Sequence, residues 1–99
     1  MSDSVSFGLQ VPQGARAALS IEAFRRGMGR AELVREIIAT EERSRPTGER
    51  IPAPEAMMVT VPRSVAEELH REAARRGEKR GALIRGLIAA HLARMGYNL

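Results

Sequence analysis

At 99 residues, with no cysteine and two histidines, the chain is one ordinary domain or two very small units, and disulfides, thiolate metal sites and the usual histidine metal clusters are excluded. Hydrophobic residues make up 43% and aromatics 3%, a globular composition with too few rings to stack single-stranded nucleic acid. Sixteen basic residues, fifteen of them arginine, against twelve acidic ones leave a formal charge of +4, which suits either a solvated surface or a polyanionic partner.

The opening "MSDSVSFGLQ" has neither the basic n-region nor the apolar h-region of a signal peptide. No apolar run reaches the roughly 18 residues that span a bilayer, so no membrane association is expected and the default compartment is the cytoplasm. Alternation starts at once. Phe7, Leu9 and Val11 fall on one side while Ser6, Gly8 and Gln10 fall on the other, and period two with large apolar residues predicts a strand. Pro12 ends it. A helix is expected from about Ala15 to Arg26, with Ala15, Leu19 and Ala23 as its apolar stripe. Gly27 sits where a helix ends in a left-handed residue. A second helix begins three residues later, burying Leu33, Val34, Ile37 and Ile38.

From Arg45 to Ala56 the sequence "RPTGERIPAPEA" holds three prolines and a glycine, which reads as a linker. At roughly 3.3 Å per residue its twelve positions reach about 40 Å, enough to cross a small domain. The pattern then restarts. Met57, Val59 and Val61 face one way and Ala56, Met58 and Thr60 the other, and Pro62 closes the run. A helix is expected from about Ser64 to Arg76 with Val65, Leu69 and Ala73 apolar, then Gly77, then a helix burying Leu83, Ile84, Leu87, Ile88, His91 and Leu92.

Sliding the chain by 50 positions aligns Val11–Ser44 with Val61–Arg94 without a gap, 13 of 34 positions being identical. The identities include Pro12/Pro62, Glu22/Glu72, the pairs Arg25–Arg26/Arg75–Arg76, Gly27/Gly77, Arg30/Arg80 and Arg35/Arg85. Two copies are too few for a solenoid, so a pseudo-symmetric pair is expected. The organisation reads as one domain over 1–99, with a first repeat at 5–44, a linker at 45–56, a second repeat at 57–94 and a tail at 95–99. Neither repeat, at fewer than about 50 residues, builds a core alone, and a lone strand leaves its amides unpaired. The expected fold is therefore mostly α, with one strand from each copy forming a two-stranded antiparallel β-ribbon over a shared helical core.

This order, with "VTVPRSVAEEL", the glycine turn "ARRGEKRGALI" and the following "RGLIAAHL", resembles the ribbon-helix-helix DNA-binding family (MetJ/Arc type). The resemblance covers both copies, about 80% of the chain, and implies the tandem form in which one chain makes an intramolecular pseudo-dimer, as in some accessory proteins of plasmid conjugation. It implies a ribbon laid in the major groove of double-stranded DNA. Carried over residue by residue, the base-contacting positions are Ser6, Gly8, Gln10, Ala56, Met58 and Thr60. The phosphate-binding positions are Gly29, Arg30 and Ala31 with Lys79, Arg80 and Gly81. The chemistry agrees at the helix starts, where free amides and the dipole favour an anion. On the ribbon, Gln10 suits adenine, and Thr60 or Met58 a thymine methyl. The face departs from the family's habit in carrying no arginine, lysine or asparagine, which leaves room for shape or water-mediated readout. Its two strands also differ, so an asymmetric site is expected.

The implied role is a prokaryotic, phage or plasmid-borne transcriptional regulator or repressor acting at the nucleoid. Alternatives are a relaxosome, partition or architectural DNA-binding protein, or an antitoxin-like module that binds a protein. Against the last, the sequence ends at "MGYNL" soon after its final helix, so no toxin-wrapping arm is expected. Tyr97 and Leu99 either contact neighbouring molecules on DNA or pack on the chain's own core. No cofactor and no catalysis are expected. His70 reads as a surface residue, His91 as packing, and Glu22 and Glu72 as partners of nearby arginines, while "GMGR" is too little for a nucleotide loop. The Arg25–Arg26 and Arg75–Arg76 pairs suit phosphate or the negative ends of their helices equally.

Overall fold

In the computed structural model, which describes residues 3–40 and 55–97, the elements run β1 (Ser4–Val11), α1 (Ala15–Arg25), α2 (Arg30–Thr40), β2 (Glu55–Pro62), α3 (Arg63–Arg75) and α4 (Arg80–Arg94). The two strands pair with each other, antiparallel, in a two-stranded sheet. Their register runs from Ser4 opposite Pro62 to Val11 opposite Glu55. At its centre Gly8 faces Met58, the residue 50 positions further on, so the offset of the sequence repeat extends into the strands. Alternation decides the faces: Leu9, Val11, Met57, Val59 and Val61 are buried, and Phe7 is half-buried beside them.

The helices cross over. α4 packs on β1 and α2 packs on β2, while α2 and α4 also meet each other. Each strand therefore rests on a helix from the other half of the sequence. Leu33, Ile37, Ile38, Ile84, Ile88 and Leu92 are at most 1% exposed in the resulting core, joined by Leu19 and Leu69 from α1 and α3. All four residues expected to be buried on α2, and all six on α4 including His91, are buried. Tyr97 packs against this core.

Gly27 and Gly77, with φ of 70° and 67°, turn the chain between the helices of each half. Any other residue there would hold a left-handed backbone at a cost of about 1–2 kcal/mol. The glutamate before each turn is clamped. Glu22 receives Arg26 at 2.8 Å and Arg25 at 3.5 Å, and Arg26 also reaches Glu36 on α2 at 3.8 Å. Glu72 pairs with Arg75, and with Arg76 at 3.2 Å.

The two halves are not copies in detail. α3 begins directly after Pro62, but the chain makes a turn at Gln13–Gly14 before α1, because Gly14 adopts φ 89° and its amide donates to the Glu55 carboxylate at 3.2 Å. The helix start expected at Ser64 thus falls at Arg63, and the stripe shifts: Ala66 is buried where Val65 was expected, and Val65 is half-buried. The matching position on α1, Arg16, is exposed. β2 takes up Glu55 and Ala56, the last two residues of the expected linker; the rest of that segment to 54 lies outside the described residues, as does Leu99. The outer face of α1 exposes Ile21 and Phe24, whereas α3 carries Arg71 and Ala74 at those positions.

Because the core is shared, Ile38→Ala in α2 and Ile88→Ala in α4 should each lower the stability of the whole chain by about 2–5 kcal/mol. Urea unfolding followed by circular dichroism should show one transition in both variants, moved to lower urea. Two separated transitions would contradict a common core.

Candidate nucleic-acid interface

The face of the ribbon turned away from the helices is built by the residues that alternation forces outward. Ser6, Gly8, Gln10, Ala56 and Met58 are exposed and Thr60 is half-exposed, so all six expected base-contacting positions share one surface. Their properties are uneven along it. At one end the Ser6 and Thr60 hydroxyls hydrogen-bond to each other at 2.8 Å. In the middle Met58 stands 66% exposed across from Gly8, which adds no side chain. At the other end Gln10 lies opposite Ala56, and its backbone carbonyl accepts from Arg85 Nη1 at 3.0 Å. That bond ties the end of β1 to α4.

The start of α2 borders a groove beside this face, and the start of α4 packs against Phe7 and Leu9 of β1. The carbonyls of Gly29 and Lys79 each accept the first helical bond, from Leu33 and Leu83, at 3.0 Å. The amides of Arg30 and Ala31, and those of Arg80 and Gly81, consequently have no acceptor within their helices and sit at the positive end of the dipole. Gly29, Arg30, Ala31 and Lys79 are exposed; Arg80 and Gly81 are half-buried. A Cβ at Gly81 would lie 3.4 Å from that of Leu9, which shows how closely α4 starts against the ribbon.

The two flanks differ in their arginines. The Arg80 guanidinium lies over the Phe7 ring, 3.8 Å from its centroid, a cation–π contact that fixes its direction. Position 57, the counterpart of Phe7, is a buried methionine, and Arg30 instead borders an open groove of about 470 Å³. Gly8, Gln10, Ala56 and Met58 line that groove together with Arg16 and Arg30. Arg16, Arg85 and the stacking role of Phe7 escape a reading by repeat alone. Arg16 has alanine at its repeat position, and Phe7 reads as core by its alternation. Arg85 recurs as Arg35 but lies on the second helix, away from the expected contacts. At the ribbon's Ser4 end Arg63 donates to Asp3 at 2.9 Å, and that bond, with the attraction of the carboxylate, raises the guanidinium pKa above its ordinary value.

The arginine pairs that the sequence left open divide. Arg26 and Arg76 are drawn in by the buried or half-buried Glu22 and Glu72, while Arg25 and Arg75, though paired with the same carboxylates, keep side chains 68% and 76% exposed. His70 is exposed. Among the described residues, no group of three histidine, aspartate or glutamate side chains is placed to hold a metal ion, and no helix is long and apolar enough to cross a membrane. No family model, no curated protein and no solved structure matches the chain.

A double-mutant cycle on Phe7→Leu and Arg80→Gln should give a coupling of about 0.5–1 kcal/mol in urea unfolding, the worth of a partly exposed cation–π pair. Strict additivity would show that Arg80 is not held by the ring.

Proposed function

We propose that the chain is a double-stranded DNA-binding protein of the ribbon-helix-helix kind. Its two repeats form a pseudo-dimer within one molecule and lay the β1–β2 ribbon in the major groove. The observation that carries this reading is the register. The pairing is symmetric about Gly8 and Met58, so that residues 5–11 and 55–61, fifty positions apart, occupy matching places in the two strands. Arg30, at the start of α2, lines the groove beside the outward face, and Arg80, at the start of α4, lies over Phe7 of β1, which supports two helix starts near the ribbon. A two-stranded ribbon fits the roughly 12 Å width of the major groove. Amides at two helix starts, each with an arginine, then meet the phosphates along its edges.

The mechanism follows from that placement. Arg30 with Gly29 and Ala31, and Arg80 with Lys79 and Gly81, hold backbone phosphates and fix the depth of the ribbon. Gln10 offers both an amide donor and an acceptor to a base edge, and Thr60 and Met58 offer methyl groups to thymine. The protein acts by occupancy, as a transcriptional repressor or regulator that blocks a promoter. A second reading, an accessory or architectural protein, draws on the middle of the ribbon. Gly8, Met58 and Ala56 have no hydrogen-bonding side chain for a base there, so part of the discrimination comes from duplex shape.

Selection of bound duplexes from a random pool tests the reading, followed by affinity for the best sequence across a salt series. With some three to five phosphates held, log Kd should change with log salt at a slope of about 3–5. Arg30→Ala combined with Arg80→Ala should reduce that slope by about 1–2 and weaken all sequences alike. Binding with a steep slope and no enriched motif would favour the architectural role. No binding at low salt would reject DNA as the partner.

A further inference from the structure

The approximate symmetry of the ribbon hides a chemical polarity. At the Gln10 end three long polar side chains converge, Gln10, Arg16 and Arg30, all lining the same open groove beside the outer face. Their repeat counterparts are Thr60, Ala66 and Arg80. Each of these is spoken for: Thr60 bonds to Ser6 at 2.8 Å, Ala66 is buried at 3% exposure, and Arg80 lies over Phe7. The backbone differs here as well. The Gln13–Gly14 turn, held by Glu55, precedes α1 while α3 follows Pro62 directly, and position 16 is exposed while position 66 is buried. An arginine at position 66 would be buried; at position 16 it reaches the groove.

We infer that the groove bounded by Gln10, Arg16 and Arg30 is the specificity pole of the molecule. It reads one half-site through base edges while the Ser6–Thr60 end mainly holds backbone, so the protein sits on DNA in a single orientation. The inference rests on the DNA reading above and adds Arg16 to it. With Arg30 on phosphate as above, the Arg16 guanidinium can address the guanine O6/N7 edge and the Gln10 amide an adjacent adenine. Two guanidinium groups at one pole, neither of them in an ion pair among the described residues, also make it the more strongly attracting end for the polyanion. At the opposite pole the paired hydroxyls are short, and one of their two O–H donors is engaged in the mutual bond.

Duplex selection with the wild-type chain, Gln10→Ala, Arg16→Ala and Thr60→Ala tests this, together with the site of DNA cleavage by an iron chelate on Gln13→Cys. The chain has no cysteine of its own, and Gln13 is exposed next to the pole. All four substituted positions lie at or near the surface, and circular dichroism confirms that each variant folds. The expected result is a motif with most of its information in one half, flattened by Gln10→Ala and left in place by Thr60→Ala. Arg16→Ala should weaken binding to that motif by about 5- to 100-fold, more than to random duplex, and cleavage should fall on one side of the site only. Equal information in both halves, equal loss with Thr60→Ala, or symmetric cleavage would overturn the inference and leave DNA binding intact. Failure of the wild-type chain to bind any duplex at low salt would remove the DNA reading and this inference with it.

Discussion

The pairing of β1 with β2 is the constraint on which the rest depends. Each strand runs eight residues, and among the described residues each has only the other as a partner for its backbone amides and carbonyls. Buried peptide groups without partners cost about 1–3 kcal/mol apiece, so neither strand is stable alone. Pairing also fixes the helices. With α4 packed on β1 and α2 on β2, closing the ribbon brings the two halves into one core and sets the helix starts at Arg30 and Arg80 near the ribbon as a consequence. A slip of one residue in register would turn Leu9, Val11, Val59 and Val61 outward and empty the core.

The carboxylate clamps show how such a small molecule sharpens its turns. Glu22 and Glu72 each hold two arginines from the end of the same helix, just before a left-handed glycine. An arginine at a helix end also complements the negative dipole, so clamp and dipole favour the same geometry. In the first half Arg26 reaches on to Glu36 and joins α1 to α2. These arginines are part of the scaffold, whereas Arg16 and Arg30 are held by no such carboxylate among the described ion pairs and line the groove instead. High arginine content thus divides into two jobs that composition alone does not separate.

Much of the fold was legible from two periodicities. Alternation at Phe7–Leu9–Val11 and Met57–Val59–Val61 named the inward face of each strand, because the side-chain period of a strand is fixed by its backbone. The i, i+3, i+4 spacing of Leu33, Val34, Ile37 and Ile38 named the buried stripe of α2 for the same reason. Less was legible where two local signals competed. The expected helix starts, about Ala15 and Ser64, lie one position apart in the repeat, whereas the observed starts, Ala15 and Arg63, lie two apart, with a left-handed Gly14 before α1 and Pro62 directly before α3. The candidate surface followed the same divide. Its six ribbon positions were readable from alternation, while Arg16 carried no signal because its repeat counterpart is alanine.

By itself, then, the sequence determined the element types, their order, the two faces of each strand and the residues of the helical core, because these depend on neighbours close along the chain. Tertiary structure alone decided the register about Gly8 and Met58, the crossing of each strand onto the other half's helix, and the stacking of Arg80 on Phe7. It also decided which of two matched positions, 16 and 66, faces solvent. Those outcomes depend on pairs of residues far apart in sequence, and on a single hydrogen bond between Gly14 and Glu55 that no local pattern announces.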